Sequence, residues 1–405
     1  MLNSVKDVIE PAVTPERHRA TGPLRPSSFG PSSFSPVSFS SVSFGPPELS
    51  TLLALIRAAS LTSVADSLTL GIQLGAAGVY PGEGRTRELW EALSSIAAVD
   101  LGAARAIEPH LDALAILEQA GLSSTVGRQY GAAPAWGVFA AEGGAHPLTG
   151  HFTPTQSGGT TQSGVTAQSG GTTQSGGTWH LSGTKPWCSL ADRLDAALVT
   201  AHVGGGKRQL FAVALNQPGV HVLPNTWFAR GLAEIVSGPV DFVRVAATPI
   251  GEAGWYLQRP GFRWGGIGVA ACWFGGLVAV ARALYDSAAG PAKPADDFVC
   301  AQLGAVDVSV ETARRALLEG VTAIDAGLAV KHYSKLLTER VRATVVRSAE
   351  DVLQRAGHAL GPAPLALDEK HAKRVADLSL YIAQHHAERD EASLGRALLT
   401  GGAPW

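Results

Sequence analysis

GTWHLSGTKPWCSLADRLDAALVTA, residues 177–201, decides how the rest of the chain is read. It holds a strand-like run, a glycine turn at Gly183, and then Lys185, Trp187, Cys188 and Ser189 in close succession. A second run of small and β-branched residues follows. Residues two apart on a strand share a face. Trp187 and Ser189 are therefore expected to present an indole and a hydroxyl to one flat partner.

Working outward, the apolar period is two from about residue 128 to 250. The runs at 195–203, 209–215, 219–224 and 238–245 read as strands bounded by Gly, Pro and Asn. VGGGKRQ, between the first two, lacks the first glycine of a phosphate loop and puts Arg208 where Ser or Thr would bind Mg²⁺; it reads as a hairpin turn. On both sides the period becomes helical, in PELSTLLALIRAASL and ELWEALSSIAAVDLGAARAIEPHLDALAILEQAG before it and in three long segments after Pro260. Helices, then strands, then helices predict an α+β fold with segregated layers. The expected division is a disordered Ser/Phe/Pro-rich tail over 1–47, a helical domain over 48–127, a β-domain over 128–252 and a helical bundle over 253–405. The QSGG hexads at 155–178 contain one aliphatic residue, Val165, so they predict a flexible insertion rather than a solenoid.

The chain is 45% hydrophobic and 16% charged, with a net charge of −2. A nucleic-acid partner, which needs a basic face, is not expected. Cys188, Cys272 and Cys300 have no metal-type spacing, and the N-terminus has no apolar signal region; both suit a cytoplasmic protein. WGGIGVAACWFGGLVAVA, residues 264–281, is uncharged but rich in Gly and Ala. It is expected to be a buried helix rather than a membrane span.

Three segments in order resemble the acyl-CoA dehydrogenase flavoprotein family: the opening stretch, GPVDFVRVAATPIGEAGWYLQRPGFRWGGIGVAAC, and the C-terminal DLSLYIAQHHAERDEASLGRALL. The resemblance covers about residues 48–400. It implies an N-terminal helical domain, a middle β-barrel or sandwich and a C-terminal four-helix bundle. It also implies FAD, or alternatively FMN, held by Trp187, Cys188 and Ser189, with Val138 on an earlier flavin-facing strand where Phe139 replaces a hydroxyl residue. A homodimer or homotetramer and an electron-transfer flavoprotein as acceptor are implied as well.

Dehydrogenation of an acyl thioester or related carbonyl compound needs a base for the α-proton. The family's Tyr-Glu-Gly-Thr is absent here; its place falls on Gln384 or His385, and the nearest carboxylates are Glu388 and Asp390. His385 and Glu388 are the catalytic candidates, together with Arg263, whose charge before an apolar run calls for an anion or carbonyl partner. His385 also suits a flavin-dependent monooxygenase of the same architecture. A non-catalytic binding or assembly relative is the third alternative.

Overall fold

The computed structural model describes residues 41–44, 50–154, 176–290 and 294–402, all within one compact unit. Five helices come first: α1 (Thr51–Ala58), α2 (Val64–Ala76), α3 (Thr86–Val99), α4 (Leu101–Gln119) and α5 (Val126–Gln129). Side chains that accept the first free amides set three of these starts: Ser50 takes Leu53, Ser63 takes Asp66 and Asp100 takes Ala103.

Seven strands follow: β1 (Trp136–Phe139), β2 (Thr149–Pro154), β3 (Gly177–Lys185), β4 (Ala196–His202), β5 (Arg208–Ala214), β6 (Val220–Val222) and β7 (Val240–Ile250). The ladder β4–β2–β3–β7–β5 returns to β4, a barrel-like ring with β1 added parallel to β4 and β6 added to β7. Both faces of β4 are covered. Ala197, Val199 and Ala201 enter the inner core with Phe211 and Phe242, whereas Ala196 and Leu198 pack on Ala113, Ile116 and Leu117 of α4. The VGGGKRQ stretch is the β4–β5 turn, closed by Val203 donating to the Lys207 carbonyl.

The remaining helices are α6 (Trp255–Gln258), α7 (Pro260–Ala288), α8 (Asp297–Asp325), α9 (Lys331–Leu360), α10 (Ala363–Leu367), α11 (Glu369–Ile382) and α12 (Glu388–Gly401). α7, α8, α9 and α11 form the bundle, with α12 against α9. α7 contains the uncharged run and is mostly buried, as expected of a core helix. It also packs tightly on α3, because Gly275 lies against the Ser94 carbonyl with no room for a Cβ.

Two boundaries differ from the sequence reading. Residues 41–44 fall within the expected disordered tail but belong to the helical core: Val42 and Phe44 are buried, and the Phe44 ring packs edge-on against Phe274. The Val42 amide donates to Ser95 Oγ, and the Phe44 amide to Glu91 Oε1. Residues 1–40 and 45–47 of that tail lie outside the described residues. Of the hexad tract, residues 155–175 lie outside them too, but Gly177 and Thr178 open β3, paired with Pro154 and Thr153 of β2.

Candidate functional site

β3 reaches the site through a bulge at Gly183, where φ is +121° and a Cβ would meet the Pro147 carbonyl at 2.7 Å. The strand ends on Lys185, whose buried ammonium lies 3.0 Å from Glu142 Oε1, 2.8 Å from the Thr200 carbonyl and 2.9 Å from Thr200 Oγ1. Glu142 also meets His202 at 3.0 Å and Arg208 at 3.1 Å. Burial opposes the Glu142 charge, but these partners together hold its carboxyl below the usual range.

Pro186 then breaks the ladder, so Trp187, Cys188 and Ser189 lie in a turn and not on a strand. The expected shared face is therefore corrected. Trp187 has φ +58° and is 60% exposed, with its ring edge-on to Trp227 at 6.2 Å. It is no core aromatic. Ser189 is buried on the other side; its hydroxyl is 2.8 Å from Ser237 Oγ and accepts from Arg105 Nη2 at 3.0 Å. Cys188 points into the β-core, where burial pushes its thiol up to about 12 and keeps it protonated. Val138 is half-buried on β1 beside the α4-facing core, which Trp136 fills; Phe139 fills the inner one.

Lys373 on α11 fixes the neighbouring loop: its ammonium lies 3.1 Å from Asp100, 2.8 Å from Glu234 and 2.6 Å from Asp377. Asp377 accepts the Leu232 amide at 2.6 Å.

The catalytic candidates do not converge. Arg263 sits half-buried in the first turn of α7 and forms no ion pair among the described residues. The buried arginine at this end of α7 is Arg259, 2.7 Å from Gln119 and 3.3 Å from Asp112. His385 lies buried between α11 and α12, and burial lowers its pKa; its Nε2 is 3.9 Å from Asp390 Oδ2. It lines a surface pocket with Glu350 and Leu353 of α9. Glu388 is exposed at the start of α12, and Gln384 is exposed as well.

A different group of polar residues lies where α4 meets the bundle, and sequence reasoning missed it. Arg105, Glu108 and Asp112 form a stripe along α4, spaced to share one face. Pro109 lies within this helix and leaves the Arg105 carbonyl without its usual amide. Glu108 and Asp112 line a narrow cavity with Trp90, Leu93, Gly265 and Gly268. Glu108 is half-buried and makes no hydrogen bond or ion pair among the described residues; desolvation with Asp112 nearby pushes its carboxyl up to about 7. From α7, Trp273 packs edge-on to Tyr381 of α11, and the Arg342 guanidinium of α9 lies 4.5 Å over the Trp273 ring. Arg342 Nη1 donates to the Gly266 carbonyl at 2.8 Å.

Three buried polar atoms here, Arg105 Nη1, Trp273 Nε1 and the Tyr381 hydroxyl, have no partner among the described residues. Buried polar groups are nearly always satisfied, so three donors together call for a partner, a water or a ligand. Among the described residues no group of His, Cys, Asp and Glu could hold a metal ion.

No protein-family model and no curated protein sequence matches the chain. Solved structures do. FMN-bound TdsC of Paenibacillus sp. A11-2, also described as a dibenzothiophene monooxygenase, aligns with a TM-score of 0.66 at 15% identity over 85% of this chain and 92% of that one. A nitrososynthase of Micromonospora carbonacea var. africana aligns at 0.66 and 16% identity, over 87% of this chain and 96% of that one. A steroid ACAD aligns at 0.62 and 18% identity, over 87% and 93%. The chain thus has the acyl-CoA dehydrogenase-like fold: N-terminal helices, a central mixed sheet and a C-terminal helical bundle.

Proposed function

We propose that this chain is a flavin-dependent oxidoreductase whose flavin lies against the turn after β3. One observation carries the reading: Arg105 reaches from α4 to the Ser189 hydroxyl and keeps a second, buried nitrogen unpartnered, beside a turn that leaves Trp187 open. A planar group with hydrogen-bonding edges suits both features. Trp187 would supply an aromatic face, and Ser189 and Arg105 would supply donors to the ring edge, with Val138 and Cys188 as the further contact candidates. FAD and FMN both suit this arrangement, and TdsC is a relative in fold that holds FMN. A flavin bound there supplies a two-electron acceptor. Tyr381 and Trp273 would hold a substrate oxygen in the water-poor interior, where such hydrogen bonds are strongest.

The reaction we favour is oxidation of an acyl thioester or related carbonyl compound next to the carbonyl. A second reading, flavin-dependent monooxygenation, is favoured by the α11–α12 turn, which holds a buried histidine and an exposed Glu388 instead of a carboxylate facing the cluster.

The absorption spectrum of the purified protein after addition of FAD or FMN tests the flavin. Bound, perturbed flavin that bleaches anaerobically with an acyl-CoA supports dehydrogenation. Oxygen consumption that depends on an added flavin reductase supports monooxygenation. A colourless protein that takes up neither flavin leaves a binding or assembly role.

A further inference from the structure

The turn after β3 and the loop between β6 and β7 run side by side at Ser189. The Cys188 amide donates to the Gly238 carbonyl at 2.9 Å, and the Leu190 amide to the Val236 carbonyl at 2.7 Å. Those two backbone bonds flank Ser189 and set it opposite Ser237, with the hydroxyl oxygens 2.8 Å apart.

Counting protons gives this pair a direction. A serine hydroxyl has one proton to give, a carbonyl only accepts and a guanidinium only donates. Ser237 donates to the Ile235 carbonyl at 2.9 Å, which uses its proton. Ser189 must then donate to Ser237, while its own oxygen accepts from Arg105 Nη2 at 3.0 Å. The reverse order would press the Ser237 and Ile235 oxygens together with no proton between them. The chain therefore runs one way, from Arg105 through Ser189 and Ser237 to the backbone at Ile235. On its other side the Arg105 guanidinium lies 5.8 Å from the centre of the Tyr381 ring.

The two donors placed at the ring edge are thus not equivalent. The Ser189 proton is committed to Ser237, whereas Arg105 Nη1 has no partner among the described residues. Arg105 forms no ion pair among them either.

We propose that Ser237 is a positioning residue of the flavin site. Acting through the Ser189 hydroxyl, it holds the Arg105 guanidinium so that a fixed positive charge meets the edge of the ring. Charge at the ring edge tunes a flavin's electronics. Reduction makes the ring more electron-rich, and a neighbouring cation favours that form. Reduced flavin is therefore held more tightly than oxidised flavin. The inference rests on the flavin reading for its ligand, but not for the hydrogen-bond chain.

Two measurements on the full chain test it. The first is anaerobic titration with oxidised FMN and with dithionite-reduced FMN. Wild-type protein is expected to bind the reduced form about tenfold or more tightly, and Arg105→Gln to lose that preference. Ser237→Ala should cut the preference about fivefold, and Ser237→Thr, which keeps the hydroxyl, should restore it. Ser189→Ala breaks the same chain at its middle and gives the same comparison if Ser237→Ala does not fold. The second needs no flavin: ¹⁵N NMR of arginine-labelled protein, with the Arg105 signal assigned by its absence from Arg105→Gln. Its guanidinium protons are expected to exchange about fivefold faster in Ser237→Ala than in wild type.

An Arg105 signal that exchanges alike in wild type and Ser237→Ala overturns the proposal. So does equal affinity of wild type for the two forms of FMN, or an undiminished preference in Ser237→Ala. Protein that takes up neither form while Ser237→Ala still loosens Arg105 breaks the flavin reading and leaves the hold of Ser237 on Arg105 standing.

Discussion

Two polar networks lie on either side of the turn after β3, and they differ in whether they are complete. Around Lys185, every ammonium proton meets an oxygen, and Glu142 gathers Lys185, Thr200, His202 and Arg208. Around Arg105 and Tyr381, three buried donor atoms have no partner among the described residues, and the half-buried Glu108 carboxylate one turn along α4 makes no hydrogen bond there either. Both networks pay desolvation. The first is repaid within the chain and holds the barrel; the second leaves donors open, which suits the ligand site proposed above. This contrast separates a structural charge from a functional one where composition and burial do not.

The largest test breaks the complete network. Lys185→Met should destabilise the fold by ~3–4 kcal/mol, since it strands Glu142 and Thr200 without their main donor; urea unfolding checks it. An effect under ~1 kcal/mol would erase the contrast.

Glu108→Gln should act in the opposite direction and depend on pH. The folded carboxyl has a raised pKa, so the native chain holds a proton that the unfolded chain releases earlier. Wild-type stability therefore falls as pH rises from the ordinary glutamate range to about 7, and it stays lower above that. The variant is expected to gain on the order of 2 kcal/mol over wild type at pH 8 and to match it at pH 4. Melting curves at the two pH values measure the difference.

Smaller still, Trp187→Ala should change stability by less than ~1 kcal/mol, because the ring is mostly exposed. It should nevertheless weaken flavin retention about tenfold or more, as read by equilibrium dialysis. Tyr381→Phe removes a hydroxyl that has no partner, so its stability should stay within ~0.5 kcal/mol of wild type or rise slightly. A loss of 2 kcal/mol would show that the hydroxyl is already bonded within the fold.

The order of layers and the buried α7 were legible in the sequence because hydrophobic period and small-residue content report directly on packing. The strands of the β-domain were legible for the same reason. The α4 stripe was not. Arg105, Glu108 and Asp112 fall at the spacing of an ordinary solvent-facing charge row, and only α7 and α11 packed against α4 half-bury it. Gly265, where a Cβ would meet Asp112 Oδ1 at 3.3 Å, was the available signal. At Trp187 the clue was present: Pro186 cannot continue a ladder, so a shared strand face for Trp187 and Ser189 was ruled out by the residue between Lys185 and Trp187. Val42 and Phe44 were hidden by a repeat whose composition outweighs two buried residues.

Those two residues have a consequence for how the chain assembles. The segment 41–44 touches three helices: Ser95 and Glu91 on α3, Phe274 and Arg282 on α7, and Arg314 on α8, which binds the Phe44 carbonyl. Glu91, Arg282 and Arg314 lie far apart in sequence yet all hold this one segment, so the clasp is complete only where α3, α7 and α8 are packed together. A protease nick between Phe44 and Thr51 would then leave the clasp held by these contacts alone, and the rate of its release would report how firmly the three helices grip it.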